Sequence, residues 1–249
     1  MGVLEFYNEF YMKAEFSMAH AVFCEKVYGK NLCQHGMADM YQLKVLLKLL
    51  GLKSTSRLLD LGCGIGLVTE YIQDHSGSNV TGMDFSPIAI EKAKSRTNKK
   101  ANKLKFEIGD MNNLQYEADS FDAIISIDTH YFVNNFEKLL DQSLDIIVKG
   151  GQFCVFSDQG TGIPRDDSFL QPEESKIGQL LKNKRIEYNA INLTEMNKKH
   201  WKLKEKVIKE QRDEFEKEGN LFLYENRLEE CIRSNRDLDC RFLFQIKKE

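Results

Sequence analysis

The chain has 249 residues, of which 42% are apolar, and this suits one large α/β domain with additions or two small domains. Its 35 basic and 38 acidic residues nearly balance, and the net charge of −3 gives no support for a nucleic-acid or membrane-surface partner. No run of about 18 apolar residues indicates a membrane span.

The N-terminal segment and the cysteines predict a cytoplasmic protein without a metal site. Residues 1–10 contain Glu5 and Glu9 and lack the basic start and apolar core of a secretory signal. The six cysteines are scattered, and because none forms a Cys-x-x-Cys pair we expect reduced thiols and no zinc.

Three helices are predicted before position 51. The first lies near the N-terminus, the second spans Met18–Tyr28, and the third spans Met37–Leu50, where Gly51 ends it. A polar loop at 31–36 separates the second helix from the third and contains His35. Residues 1–50 are therefore expected to form a helical segment ahead of an α/β core.

A glycine-rich turn follows the first predicted strand, at residues 57–61. Its three glycines alternate over residues 62–66 and let a ligand approach the backbone, while the helix that follows directs N–H groups at that ligand. The dinucleotide fingerprint Gly-x-Gly-x-x-Gly fits the first two glycines, but its third would fall on Leu67. Asp60 is poorly placed for a pyrophosphate and well placed for an ammonium group. On these residues alone, a nucleotide-binding loop and a plain tight turn both remain open.

The pattern Asp-x-Gly-x-Gly-x-Gly over residues 60–66 resembles the first motif of the class I S-adenosylmethionine-dependent methyltransferases. The resemblance implies an α/β fold with a doubly wound, seven-stranded and mostly parallel sheet, and S-adenosylmethionine as the cofactor. It also implies that residues 1–50 form a helical lid over the cofactor and that residues 51–249 form the methyltransferase domain. The cofactor-binding residues expected in this motif are Asp60, Gly62, Cys63 and Gly64.

The second predicted strand, Asn79–Asp84, ends in an acid. A carboxylate has two acceptor oxygens that match the two hydroxyls of a ribose, and in doubly wound sheets an acid at this position can bind them. The resembled family has an acid here, and Phe85 is placed to flank the adenine. Ser86 and Pro87 then predict the start of the next helix.

The third predicted strand, Leu104–Gly109, is followed by Asp110 and Met111. In the resembled family an acid at this point accepts a hydrogen bond from the adenine amino group, and the next residue packs on the ring. Both residue types match, although a helix N-cap is an alternative role for Asp110.

The fourth predicted strand, Ser120–Asp128, is almost wholly apolar, as expected for a parallel strand buried on both faces. Its end lies where ligands of open α/β sheets sit, so Ile127 is expected to border the cofactor. His130 and Tyr131 follow it directly. A Lys-Gly-Gly turn at 149–151, before a fifth strand at 152–157, is a further feature of the family.

The alternation of predicted strands and helices becomes less regular after the fifth strand. A loop is predicted at 158–171, followed by a helix at 173–183, a strand at 186–193, helices at 194–218 and 221–234, and a last strand at 240–246. The two helices form an insertion at about 194–236. Trp201, Ile208 and Phe215 recur every seven residues in the first of them and are interpreted as core or lid packing.

Methyl transfer from a sulfonium is an in-line displacement with an activated leaving group, so the protein mainly aligns the reacting atoms and excludes water. A neutral amine needs little more, whereas an alcohol, phenol or acidic carbon also needs a base. The candidate catalytic residues are His130 and His35 as bases and Tyr131 for orienting the substrate. Packing is the alternative role for each of them.

The acceptor is expected to be a small molecule. The chain lacks the Asn-Pro-Pro-Tyr or Asp-Pro-Pro-Tyr sequence with which family members methylate base amines, and it lacks the paired-glutamate loop of arginine methylation. A non-catalytic S-adenosylmethionine-binding sensor or assembly protein is the alternative function. An NAD-dependent oxidoreductase is a third hypothesis, and Asp60 and the early third glycine argue against it. The sequence does not define an oligomeric state.

Overall fold

The computed structural model describes residues 2–159, 170–237 and 239–249. Its strands are β1 (Arg57–Leu61), β2 (Asn79–Asp84), β3 (Leu104–Ile108), β4 (Phe121–Ile127), β5 (Ile147–Gln159), β6 (Tyr188–Asn192) and β7 (Cys240–Lys247). Its helices are α1 (Val3–Ala14), α2 (Met18–Tyr28), α3 (Met40–Leu50), α4 (Leu67–Ser76), α5 (Pro87–Thr97), α6 (Phe136–Ile146), α7 (Lys176–Lys184), α8 (Thr194–Glu210), α9 (Arg212–Lys217) and α10 (Leu221–Asp237). Within these ranges no helix is both long and apolar enough to cross a bilayer.

The seven strands form one sheet in the order β3-β2-β1-β4-β5-β7-β6. β1 pairs in parallel with β2 and β4, β2 with β3, and β4 with β5, whereas β7 is antiparallel to β5 and β6. The chain leaves β1 towards one edge of the sheet and later returns to place β4 on its other side. This reversal opens a crevice at the carboxyl ends of β1 and β4. The expected seven-stranded, mostly parallel sheet is confirmed.

Helices cover both faces of the sheet because successive strand residues point to opposite sides. Leu58 of β1 joins a core with α3, α4 and α5, to which Leu46 and Ile72 belong. Its neighbour Leu59 joins the opposite core with α6 and α7, to which Leu140 and Leu181 belong. All six side chains are fully buried. Burial on both faces holds the carboxyl ends of the strands in fixed positions.

The N-terminal helices α1 and α2 share a third core with the inserted helices α8, α9 and α10. Its members include Phe10, Phe23, Trp201, Ile208, Phe215 and Leu223. The stripe on the inserted helices is therefore internal, as predicted. α3, the third helix of the predicted lid, packs on the sheet instead. The division of the chain at residue 50 stays a prediction.

Two helices begin later than the sequence pattern indicated because a side chain caps each of them. Asp39 accepts a hydrogen bond from the backbone N–H of Gln42 at 2.9 Å, so α3 begins at Met40 rather than Met37. Ser175 accepts one from the N–H of Gly178 at 3.1 Å, so α7 begins at Lys176 rather than 173.

The prediction of one long helix at 194–218 is wrong. Gln211, with φ −103° and ψ 5°, leaves the helical conformation and separates α8 from α9, so three helices rather than two occupy residues 194–237. Neither glycine nor proline marks this break. β5 extends through Gln159, and residues 160–169 of the predicted loop lie outside the described residues.

Candidate functional site

A cleft opens at the carboxyl ends of β1, β2 and β4, where the strand order reverses. Its empty space is about 840 Å³, counting the part open to solvent. The sheet supplies the floor, and Tyr7, Tyr11 and the loop 32–36 supply residues from the N-terminal segment. The N-terminal segment thus borders the cleft, and its role as a lid stays a prediction.

The turn after β1 brings bare backbone to the cleft. Gly62 and Gly64 have φ of 77° and 55°, a region that side chains rarely tolerate. A Cβ on Gly62 would overlap Thr129, and one on Gly64 would overlap the hydroxyl of Tyr11. α4 begins just beyond, so its N-terminal N–H groups and partial positive charge lie beside the turn. This is a close-fitting cradle for a polar ligand.

Asp84 is buried at the end of β2. Its Oδ2 accepts a hydrogen bond from the backbone N–H of Gly64 at 2.8 Å, and its Oδ1 accepts one from Ser86 at 2.9 Å. Burial raises the pKa of this carboxyl, while the backbone donors oppose the rise. A carboxylate offers about four acceptor positions, so each oxygen can accept another hydrogen bond. The side chain therefore fits a ribose diol.

Asp60 lies at the end of β1 with 3% of its surface exposed. Its Oδ2 accepts a hydrogen bond from the Thr69 hydroxyl at 2.6 Å. Burial, assisted by the charge of Asp84, raises the pKa of Asp60 to about 7. An ammonium group in the cleft would stabilise the charged form of this carboxyl. The two carboxylates, as hydrogen-bond acceptors, thus fit the ammonium group and the ribose hydroxyls of the expected cofactor.

Most of the residues predicted for the site line this cleft. They are His35, Asp60, Gly62, Cys63, Gly64, Asp84, Phe85, Met111 and Ile127. Asp110 is outside the lining; it is exposed, and its Oδ1 accepts hydrogen bonds from the backbone and side chain of Asn112, both at 2.8 Å. Two of the three predicted carboxylates therefore meet in the cleft, and the contact of Asp110 with adenine stays a prediction.

His130 and Tyr131 do not reach the cleft. His130 is buried, with Nε2 3.2 Å from Oγ of Ser157 on β5, and burial lowers its pKa to about 4. Tyr131 is 45% exposed, and its hydroxyl accepts a hydrogen bond from the backbone N–H of Asp158. The structure therefore places a buried pair with Ser157 where the sequence suggested a catalytic base.

His35 lies at the cleft between two partners that sequence reasoning missed. Its Nδ1 is 3.5 Å from the hydroxyl of Tyr7, and its Nε2 is 3.3 Å from Oε1 of Glu230 on α10. Burial lowers the pKa of His35 to about 4, although the charge of Glu230 opposes the shift. The ring is therefore neutral near pH 7. Arg227 fixes the same loop by donating to the backbone carbonyl oxygens of Gln34 and His35 at 2.6 and 3.1 Å.

Asp128 also lines the cleft, although the sequence analysis assigned it no role. It lines the cleft with φ of 59°, a strained conformation for an aspartate and one that often marks functional sites. Its carboxylate accepts from the N–H of Met37 at 2.6 Å and from both terminal nitrogens of Arg241. The only sequence signal for Asp128 is its position directly after β4, where ligands of open α/β sheets bind.

Comparison with known proteins supports the architecture described here. Residues 59–155 match the family profile described as "Methyltransferase domain". Norajmaline N-methyltransferase of Rauvolfia serpentina is 24% identical over 127 residues, 50% of this chain and 44% of that protein. Sterol 24-C-methyltransferase ERG6B of Gibberella zeae is 27% identical over 151 residues, 60% of this chain and 39% of that protein. The chain thus spans less than half the length of these curated relatives.

A solved structure extends the likeness in fold to nearly the whole chain. Phosphoethanolamine N-methyltransferase 2 of Haemonchus contortus, in complex with S-adenosyl-L-methionine, superposes with a TM-score of 0.69 at 20% identity. The match covers 97% of this chain and 60% of that one. The matched residues 59–155 form a methyltransferase domain, and the superposition shows that nearly the whole chain shares the fold of that methyltransferase.

Proposed function

We propose that this protein moves a methyl group from S-adenosylmethionine to a small-molecule acceptor by in-line displacement. The supporting observation is the cleft itself, where the glycine turn, Asp60 and Asp84 converge beneath Tyr7 and His35. The cofactor supplies a methyl group on a positively charged sulfur, which is an already activated leaving group.

The residues of the chain hold and enclose the reactants. Asp84 would accept hydrogen bonds from the ribose hydroxyls, and Asp60 would face the ammonium group. Phe85 and Met111, which line the same cleft, would flank the adenine. Tyr7 and the loop 32–36 line the cleft and would exclude water from the reacting atoms. The walls of the cleft would also hold the acceptor in line with the methyl group, which raises the rate because a fixed approach replaces random encounter.

We expect His35 to orient the acceptor in this reaction. His35→Ala should lower kcat by about 3- to 10-fold, the cost of one hydrogen bond, and leave the affinity for S-adenosylhomocysteine nearly unchanged. His35→Gln, which keeps a hydrogen-bonding group, should recover part of kcat. Steady-state kinetics and calorimetry measure the two quantities. His130→Ala is the comparison, and a larger loss of kcat there than in His35→Ala would return the role to the histidine indicated by the sequence.

The raised pKa of Asp60 predicts a pH-dependent cofactor affinity. Below about pH 7 the free protein carries a proton on Asp60, and binding of an ammonium group favours its release. The affinity for S-adenosylhomocysteine should therefore rise between pH 5 and 7, by up to about tenfold per pH unit, and level off above pH 7. Calorimetric titrations across this range test the effect. Asp60→Asn, which cannot ionise, should show a flatter profile, and an identical slope would remove Asp60 from the site.

The function itself is tested by binding and transfer assays on the same preparation. S-adenosylhomocysteine should raise the melting temperature and NAD should not, because only a ligand of the native state stabilises it. Incubation with radiolabelled S-adenosylmethionine and a pool of metabolites should then yield labelled small molecules. Binding without any transfer would favour the non-catalytic sensor, and transfer to RNA or protein alone would remove the small-molecule acceptor.

A further inference from the structure

Tyr11 of α1 lies over the glycine turn and lines the cofactor cleft. The side chain is 9% exposed, and its hydroxyl oxygen is the atom nearest to the position that a Cβ would take on Gly64. The hydroxyl is therefore in close contact with the bare backbone of the turn. Burial raises the pKa of this hydroxyl well above its ordinary value, so the group keeps its proton near pH 7 and can donate a hydrogen bond.

Contacts on both sides of Tyr11 hold α1 against α5. Asn8, three residues before Tyr11, accepts a hydrogen bond at Oδ1 from the hydroxyl of Ser86 at 2.6 Å. Glu15, four residues after Tyr11, forms an ion pair with Lys92 of α5. These contacts lie within the protein, so they position the tyrosine without help from a ligand. A contact that is positioned in advance costs a ligand little conformational entropy.

The amino-acid end of S-adenosylmethionine carries a carboxylate as well as the ammonium group assigned to Asp60. No lysine or arginine is found among the described residues that line the cleft, and burial keeps the His35 ring neutral near pH 7. The partial positive charge at the start of α4 favours an anion nearby but supplies no full charge. Because a charge removed from water is costly without partners, the carboxylate needs neutral hydrogen-bond donors in this cleft.

Several donors of the cleft already have acceptors within the protein. The backbone N–H groups of Gly62 and Gly64 donate to the carbonyl oxygen of Met83 at 2.7 Å and to the carboxylate of Asp84 at 2.8 Å. The hydroxyl of Thr129 donates to a backbone carbonyl oxygen of β1 at 2.6 Å. These groups could bind a carboxylate only by giving up a hydrogen bond.

The remaining hydroxyl and amide donors of the lining differ in what they can offer a ligand. The hydroxyl of Tyr7 lies 3.5 Å from Nδ1 of His35, and Nε2 of Gln34 has no partner but is completely buried. The hydroxyl of Tyr11 has no hydrogen-bond partner among the described residues, and it is not completely buried. Since buried polar groups normally have partners, this hydroxyl is the side-chain donor best placed for a ligand.

We propose that the Tyr11 hydroxyl donates a hydrogen bond to the carboxylate at the amino-acid end of S-adenosylmethionine. This inference rests on the proposed function. It makes α1 a part of the cofactor site, whereas Tyr7, one turn earlier on the same helix, contacts His35. The contact would favour the complete cofactor over an adenosyl compound that lacks the carboxylate.

Calorimetric titration of the wild-type protein and Tyr11→Phe with two ligands tests the contact. The ligands are S-adenosylhomocysteine and its decarboxylated analogue, which keeps the adenosyl and ammonium groups and lacks the carboxylate. Tyr11→Phe should weaken binding of S-adenosylhomocysteine by about 10- to 100-fold, as expected when a hydrogen bond to a charged group is lost. The affinity for the decarboxylated analogue should change by less than about twofold.

Tyr41→Phe, at an exposed tyrosine of α3, is the matched control and should leave both affinities unchanged. The melting temperature of ligand-free Tyr11→Phe should also be unchanged, because the lost hydroxyl has no partner among the described residues. Equal losses for the two ligands would place the hydroxyl on another part of the cofactor and overturn the proposal. An unchanged affinity for S-adenosylhomocysteine would overturn it as well. Failure of the wild-type protein to bind S-adenosylhomocysteine would instead overturn the proposed function.

Discussion

Replacing Arg241 with leucine is expected to lower the free energy of unfolding by about 3–5 kcal/mol, the usual cost of removing one partner from a buried ion pair. Arg241 on β7 is fully buried. Its Nη1 lies 2.7 Å from Oδ1 of Asp128 and 2.9 Å from Oδ2 of Asp158, and its Nε donates to Oε1 of Gln42 at 2.7 Å. The substitution would leave two carboxylates buried without their cation.

The same change should loosen the contact between Asp128 and the loop beside the cofactor cleft. Arg241 orients the carboxylate of Asp128, which in turn accepts the N–H of Met37 from the loop that covers the cleft. Burial and the charge of Asp128 raise the pKa of Asp158 despite Arg241, whereas Arg241 keeps the pKa of Asp128 low. Without the arginine both pKa values rise, so the variant gains protons on folding and its deficit should shrink as the pH falls from 8 to 5.

Urea unfolding of the two proteins at pH 8 and pH 5 measures both effects. Arg57→Leu is the matched control, because Arg57 is exposed and forms a surface ion pair with Asp122 at 3.3 Å. Its loss should stay below about 1 kcal/mol. A deficit in Arg241→Leu as small as that of the control would show that the buried network contributes little to stability.

Replacing Asp84 with alanine is expected to weaken binding of S-adenosylhomocysteine by about 1–3 kcal/mol, the cost of leaving buried polar partners unpaired. The affected partners are the two ribose hydroxyls and the backbone N–H of Gly64, which the carboxylate now accepts at 2.8 Å. Loss of that bond also frees the glycine turn, so both the ribose contact and the shape of the cradle depend on one side chain. The expected change in Kd is about 5- to 150-fold.

Calorimetry on the wild-type protein and the variant checks this expectation. Asp74→Ala is the control, since Asp74 is an exposed acid that pairs with Lys100 on the surface. Its Kd should change by less than about twofold. An unchanged Kd in Asp84→Ala would assign the ribose to another group, and equal losses in both variants would indicate a general effect of removing negative charge.

The sequence predicts those parts of the site that depend on short-range pattern. Asp60 and Asp84 could be identified because each ends an apolar run, and parallel strands bring their carboxyl ends to one edge of the sheet. The glycine turn could be identified because few residues tolerate its backbone conformation. The same local logic predicts an adenine contact for Asp110, and this contact stays a prediction because the Asp110 carboxylate accepts a hydrogen bond from the Asn112 side chain and does not line the cleft.

The remaining residues depend on contacts between distant segments. Arg241 and Asp128 are 113 positions apart, and Arg227 meets the loop of Gln34 across 193 positions. Hydrophobic periodicity is read in windows of about 11 to 18 residues, so it cannot indicate contacts between residues this far apart in sequence. The sequence could not decide between His130 and His35 for the same reason. Both histidines lie in loops that could border the site, and the contact that buries His130 against Ser157 forms only when the sheet is packed.

A crystal structure of the protein with S-adenosylhomocysteine tests the central claim most directly. We expect the ribose hydroxyls within hydrogen-bonding distance of the Asp84 carboxylate, the adenine between Phe85 and Met111, and the sulfur facing Tyr7, His35 and Asp128. Density for the ligand outside this cleft, or an adenosyl group whose ribose is turned away from Asp84, would contradict the account.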